Sequence, residues 1–166
     1  KFKVFVLAPG FFGAKKEEVI EGLNVKRFKQ SPFKLISLAY GYGGILPSLK
    51  KNKILYFLIP LFLLNQLIAI KKIIKSEKIK IIHAHWALPQ GLVVTLYKRL
   101  FNPKLKILLT INGSDFWGFD NFFSNKIKRF VFKNSDTITV PNIDVKKGII
   151  KMGIKGDIYV MPMGVD

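Results

Sequence analysis

The chain has no cysteine, which excludes disulfide scaffolds, thiolate nucleophiles and cysteine-ligated zinc. Histidine is nearly absent too: His83 and His85 are the only two, beside ten carboxylates and 28 basic residues. A metal centre would need both imidazoles plus further ligands, for which Asp115 is the one evident candidate, so no metal is expected. Arginine is scarce, with Arg27, Arg99 and Arg129 against 25 lysines. Nucleic-acid readers lean on the bidentate guanidinium fork, and these lysines are scattered along the chain, so no nucleic-acid partner is expected. The net charge of +18 then suits either an anionic membrane surface or a lysine-rich solvated surface. "KFKVFVLAPG" reaches only a few apolar residues before Pro9 and Gly10 and does not read as a secretory leader. Lys1 in place of methionine points to an N-terminus that is not the native one.

What is present is 166 residues, 49% of them hydrophobic, which suits one α/β domain or a piece of a larger protein. The hydrophobic period alternates between strand and helix. Strands are expected at 2–8, 23–29, 79–86, 105–111, 136–141 and 157–162, and helices at 89–101, 121–134 and 142–153. Residues 13–22, "GAKKEEVIEG", are charged and turn-rich and are expected to form a loop. Residues 31–52 carry three glycines and two prolines and read as irregular. Pro89 is expected in the first turn of its helix, and Asn142 as the N-cap of the 142–153 helix. The 121–134 segment is amphipathic, with Phe123, Ile127, Phe130 and Val131 inward and lysines opposite. Three strand-loop-helix units followed by a strand specify an α/β, Rossmann-like, mostly parallel sheet with helices on both faces.

One segment leaves a choice open. From Ile54 to Ile70 the chain runs 17 residues without a charge, at the lower limit of a bilayer span. Pro60, Asn65 and Gln66 interrupt it, and lysines follow it. A helix buried against the sheet is the first reading, an interfacial helix the second and a true span the third.

Ligands of open parallel sheets bind beyond the carboxyl ends of the strands. There the sequence places "HAHW" followed by "PQG", then "INGSD", then "PNID". Strand alternation puts His83 and His85 on one face, with His83 the deeper, so His85 is expected at the crevice and His83 beneath a helix. A shared metal, two core imidazoles and a functional His85 are the competing readings of the pair. In "TINGSD", Gly113 permits a close backbone approach, and Ser114 and Asp115 supply hydroxyl and carboxylate partners; an Asn-Gly turn with an N-cap aspartate explains the same residues equally well.

Taken together and in order, "IIHAHWALPQG", "LLTINGSD", "SDTITVP" and "IYVMPMGVD" resemble the N-terminal half of the family 4 retaining glycosyltransferases of the GT-B fold. The usual forms there are "HAHW…P.G", "T.HG.D", "D..i.vS" and "P.GVD". The resemblance covers essentially the whole chain. It implies an acceptor-side domain over residues 1–162, incomplete at its N-terminus, with 163–166 starting the linker to a donor-binding domain. A first strand, a glycine-rich loop and a first helix would precede the "VLAP" strand, and paired glutamates would lie in the second domain. The implied reaction moves a sugar from a nucleotide-sugar to a glycan or lipid-linked acceptor with retention of configuration. No cofactor is implied, the nucleotide-sugar being a co-substrate. The implied residues are His85 and Asn112 near the reacting sugar, with Trp86, Gly113, Ser114 and Asp115 on the acceptor. Asn112 departs from the family histidine and cannot carry a proton at neutral pH. The expected setting is cytoplasmic, peripheral on the inner face of the cell membrane, and the 166 residues alone are expected to transfer no sugar. A non-catalytic basic binding module and a GT-B epimerase or phosphorylase are the alternatives.

Overall fold

The computed structural model describes residues 3–31, 38–39, 45–118, 120–162 and 164. The chain divides into two compact units, Lys1–Ser76 and Glu77–Asp166.

The first unit opens with strands β1 (Phe5–Pro9), β2 (Glu17–Ile20) and β3 (Leu23–Phe28), ordered β1-β3-β2. β1 pairs with β3 in parallel, from Phe5↔Asn24 to Pro9↔Phe28, and β2 pairs with β3 antiparallel, from Glu17↔Lys26 to Ile20↔Leu23. β2 falls where a loop was expected. Its charged residues pair across the hairpin: Arg27 with Glu18, and Lys26 with Glu17 at 4.0 Å. The connection is Glu21-Gly22, both with positive φ (49° and 80°), and a two-residue turn of that conformation matches the twist of paired strands.

Helix α1 (Ile45–Lys51) lies at the end of the stretch expected to be irregular, the rest of which falls mostly outside the described residues. A 3-10 segment (Lys53–Leu58) follows, opened by Asn52, whose side chain accepts from the Ile54 amide at 3.0 Å. Helix α2 (Ile59–Glu77) then buries Phe62, Gln66, Ile70 and Ile74, one stripe at four-residue spacing. Phe62 meets Phe28 of β3 edge-on at 5.2 Å, in a core with Leu38, Leu49 and Leu55. The first reading of this segment therefore holds for one face, while Ile54, Phe57, Leu64 and Ile68 on the other are exposed. Residues 53–77 are long and apolar enough to cross a membrane by length and composition.

The second unit is a four-stranded parallel sheet in the order β4 (Ile81–His85), β5 (Lys106–Thr110), β6 (Thr137–Val140) and β7 (Asp157–Val160). Its crossovers are α3 (Leu92–Phe101), α4 (Ser114–Trp117) with α5 (Phe122–Asn134), and α6 (Ile143–Lys151). The result is the expected α/β class, a parallel sheet flanked by helices. Ala84, Ile107, Leu109, Ile138 and Ile158 share one sheet face by register and are buried. At the amino end of the sheet Asp136 accepts from Lys98 (2.6 Å), Lys106 (3.0 Å) and the Ile107 amide (2.8 Å).

Two helices differ from expectation. Pro89 belongs to a separate turn, Ala87–Gly91, and α3 begins only at Leu92, because Leu88 is extended (φ −131°, ψ 134°). In α5 the inward residues are Ser124, Lys128, Val131 and Phe132, while Phe122, Phe123 and Phe130 are exposed. The Asn121 capping box fixes the start of α5, and burial of Lys128 turns the aromatic row outward.

Candidate active site

β4 carries His83 and His85 to the carboxyl end of the sheet, and neither is buried beneath a helix. Both rings are exposed on the face opposite Ala84 and lie side by side, centroids 4.3 Å apart. This corrects the placement of His83 as the buried member. His83 Nε2 hydrogen-bonds Thr110 Oγ1 at 2.7 Å, and Thr110 Oγ1 bonds Thr139 Oγ1 at 2.6 Å. A polar row thus runs from β4 across β5 to β6. Partial burial, reinforced by the neighbouring His85, pushes the His83 pKa below its ordinary value of 6.5. The neutral ring therefore dominates at neutral pH, with one nitrogen tied to the threonine.

Beyond His85 the backbone turns sharply. Trp86 has φ 72°, donates its amide to Thr110 O at 2.8 Å and accepts from the Gly91 amide at 3.0 Å. Gly91 is required by contact: a Cβ there would lie 2.9 Å from Val131 Cγ1 and 3.0 Å from Leu109 Cδ1. The indole of Trp86 is half-buried.

β5 delivers the second loop. Past Thr110, the Ile111 amide donates to Thr139 O at 2.9 Å, and Gly113 takes φ 94°, which lets the chain reverse into α4. Asp115, 4% exposed, points back from α4 and joins the two loops: Oδ2 accepts from the Ala87 amide at 2.7 Å, Oδ1 from the Asn112 amide at 3.0 Å. Both its oxygens therefore serve the scaffold. The third loop starts at Pro141, whose Cγ would lie 3.8 Å from a Cβ at Gly113; Asn142 then caps α6 by accepting from the Val145 amide at 3.0 Å.

Of the six residues singled out in the sequence, Trp86, Asn112, Gly113 and Asp115 are joined in this assembly, His85 immediately precedes it and Ser114 is exposed at its rim. Asn112 Oδ1 and Gln90 Oε1 are buried and have no hydrogen-bond partner among the described residues. Such acceptors are costly in isolation and suit a ligand's donors. Gln90, Thr110 and Thr139 were missed. The threonines sit on strands at positions where strand pairing, invisible without register, brings them to His83. Among the described residues no three His, Cys, Asp or Glu side chains cluster closely enough to hold a metal ion.

The four-stranded parallel sheet flanked by helices has the architecture of one half of a GT-B fold. The Glycosyltransferase Family 4 model matches residues 1–166, and the chain belongs to that family. It is 39% identical over 106 residues to an uncharacterized glycosyltransferase of Methanocaldococcus jannaschii, covering 62% of this chain and 26% of that protein. It is 31% identical over 70 residues to the N-acetyl-alpha-D-glucosaminyl L-malate synthase of Bacillus anthracis, covering 41% of this chain and 18% of that protein. The matched region thus spans about a quarter or less of these curated relatives. Among solved structures, sucrose-phosphate synthase from Thermosynechococcus elongatus shares the fold at a TM-score of 0.65 and 15% identity, over 99% of this chain and 78% of that one.

Proposed function

We propose that the protein containing this chain transfers a sugar from a nucleotide-sugar to a glycan or lipid-linked acceptor with retention of configuration, and that this chain supplies the acceptor side. The observation that carries the reading is the family match over residues 1–166. The local geometry supports it: ligand-facing groups lie at the carboxyl ends of β4 and β5, where open α/β sheets take their ligands. His85 and Asn112 flank the reacting sugar, and Asn112 Oδ1 accepts a hydroxyl proton. Trp86 lies against the acceptor, Gly113 lets the backbone approach it, and Ser114 contributes its hydroxyl. Asp115 acts through the two loops it fastens and not by touching substrate. No metal takes part, and acid-base work falls to His85, because Asn112 has no titratable proton.

The reaction requires the donor-binding half, so the 166 residues alone transfer no sugar. The exposed row Phe57, Leu64 and Ile68, continued by Lys72 and Lys75, supports peripheral attachment to an anionic leaflet on the cytoplasmic side. Incubating the native-length protein with a panel of nucleotide-sugars tests the reading. Release of nucleoside diphosphate coupled to an α-linked product from an α-linked donor is expected, and absence of transfer from every donor overturns it. One observation favours a second reading, a binding module without turnover: Asn112 stands where the family motif has histidine. Asn112→His in the native-length protein separates the two, since turnover gained only in that variant would show that the natural protein binds without reacting.

A further inference from the structure

Between α4, α5 and α6 lies a recess of about 410 Å3 that the active site does not use. That volume falls in the range of small-molecule sites, about 300 to 1,000 Å3. Lys128, from the inward face of α5, forms part of its lining and is 1% exposed. Its ammonium donates to Phe116 O at 2.6 Å, the one hydrogen bond it makes among the described residues, although an ammonium carries three donors. Burial lowers its pKa, while Asp120 and Asp115 pull in the opposite direction. At the rim, Trp117 stands edge-on to Phe116 (centroids 4.8 Å, 86°) and keeps 58% of its surface uncovered. Asp120 accepts from Asn125 Nδ2 at 2.8 Å, and neither its second oxygen nor the Asn125 side-chain carbonyl has a hydrogen-bond partner among the described residues. One face of α6 adds Asp144, Lys147 and Lys151. Gly148 lies between them because a Cβ there would sit 2.6 Å from Phe116 Cζ.

We propose that this recess is a saccharide-binding subsite. Its lining alternates donors (Lys128, Lys147, Lys151) with acceptors (Asp120, Asp144), and a sugar hydroxyl both donates and accepts. A phosphate would meet the two carboxylates, and an apolar ligand would bury the lysines unpaired. The uncovered indole offers an apolar platform for the C–H face of a pyranose ring. α4 has Asp115 within it and Trp117 at its far end, so the recess lies one short helix away from the loops that Asp115 fastens. Resting on the transferase reading, the subsite holds an outer sugar of a glycan acceptor whose reacting end lies at His85.

The test is titration of the 15N-labelled 166-residue chain with maltotriose, triacetylchitotriose and inorganic phosphate, followed by NMR. Saturable shifts of the Trp117 indole and of the Asp120 and Gly148 amides with a saccharide, and none with phosphate, are expected. Trp117→Ala, at a side chain that is more than half exposed, weakens that binding roughly tenfold, whereas Lys104→Ala leaves it unchanged. Shifts with phosphate alone, with no ligand, or undiminished in Trp117→Ala overturn the proposal. The readout needs no sugar transfer. A saccharide response beside a native-length protein without transferase activity would remove only the transferase reading. Transfer undiminished by Trp117→Ala, with no saccharide response, would remove only the subsite.

Discussion

Asp115 is the residue on which the geometry of the two main loops depends, and its removal gives the most informative perturbation. Its carboxylate is 4% exposed and accepts the Ala87 amide at 2.7 Å and the Asn112 amide at 3.0 Å. Hydrogen bonds to charged groups contribute roughly 1.5–3 kcal/mol each, and a buried donor left unmatched costs a similar amount. Asp115→Ala strands both amides, so a loss of about 3 to 5 kcal/mol is expected, a large share of the roughly 5–15 kcal/mol typical of a folded domain. Asp115→Asn keeps one carbonyl acceptor and loses the charge, so about 1 to 2 kcal/mol is expected. Urea denaturation gives the totals, and amide hydrogen exchange locates them. Protection at Ala87 and Asn112 should fall together in Asp115→Ala. A loss below about 1 kcal/mol with exchange at both amides unchanged would refute the bracing role, because the bonds would then contribute nothing net to folding.

Other expectations follow from the same geometry. Asp136 titrates at about 2 instead of 3.8: burial opposes ionisation, but the bonds from Lys98, Ile107 and Lys106 outweigh it. Because its folded pKa is depressed, its stabilisation is complete above the ordinary value and disappears as pH falls through about 2. The gap corresponds to at most about 2.5 kcal/mol, and screening at this partly exposed side chain reduces it to about 1 to 1.5 kcal/mol. Urea midpoints of the wild type and Asp136→Asn should therefore differ at pH 6 and converge near pH 2. His83 should show an NMR titration midpoint below that of a free histidine, and Thr110→Val should alter it; a midpoint at or above 6.5 contradicts the combined effect of its partial covering and the neighbouring His85. Gly148→Ala should lower stability by about 1 to 3 kcal/mol through overpacking against Phe116 and broaden that ring's resonances; a neutral substitution would mean that the ring moves aside freely. Liposome flotation with anionic and neutral lipid tests the apolar row on α2, and absence of lipid-dependent binding counts against peripheral attachment.

The parallel sheet of the second unit was legible because its strands are short, hydrophobic-rich segments bounded by loops carrying Pro, Gly and Asn, and Asn142 caps its helix as its side-chain chemistry requires. The β2–β3 hairpin was not legible. Its strand is as charged as a loop, and what makes it a strand is cross-strand pairing of Glu17 with Lys26, a relation between positions that local composition does not contain. Lys128 misled for a related reason. A lysine in an amphipathic pattern is counted as solvent-facing, yet here the Phe116 carbonyl compensates its burial, and the phenylalanines of α5 face outward. Six residues of the candidate site were visible in the motifs, whereas Gln90, Thr110 and Thr139 were not singled out. The roles of the six were not visible, because Asp115 reads identically whether it contacts a ligand or, as here, two backbone amides. His83 was assigned to the core by depth along its strand, while exposure depends on which sheet face the helices cover.

The most direct test of family membership as a working activity is a single coupled measurement on the native-length protein. Nucleotide-sugar donors are offered with a glycan or lipid-linked acceptor, and product mass and anomeric configuration are read together. The expected result is a product heavier by one sugar, with the donor's configuration retained and turnover reduced in His85→Ala. A product of inverted configuration would contradict the retaining mechanism, and no product from any donor would contradict the transferase reading itself.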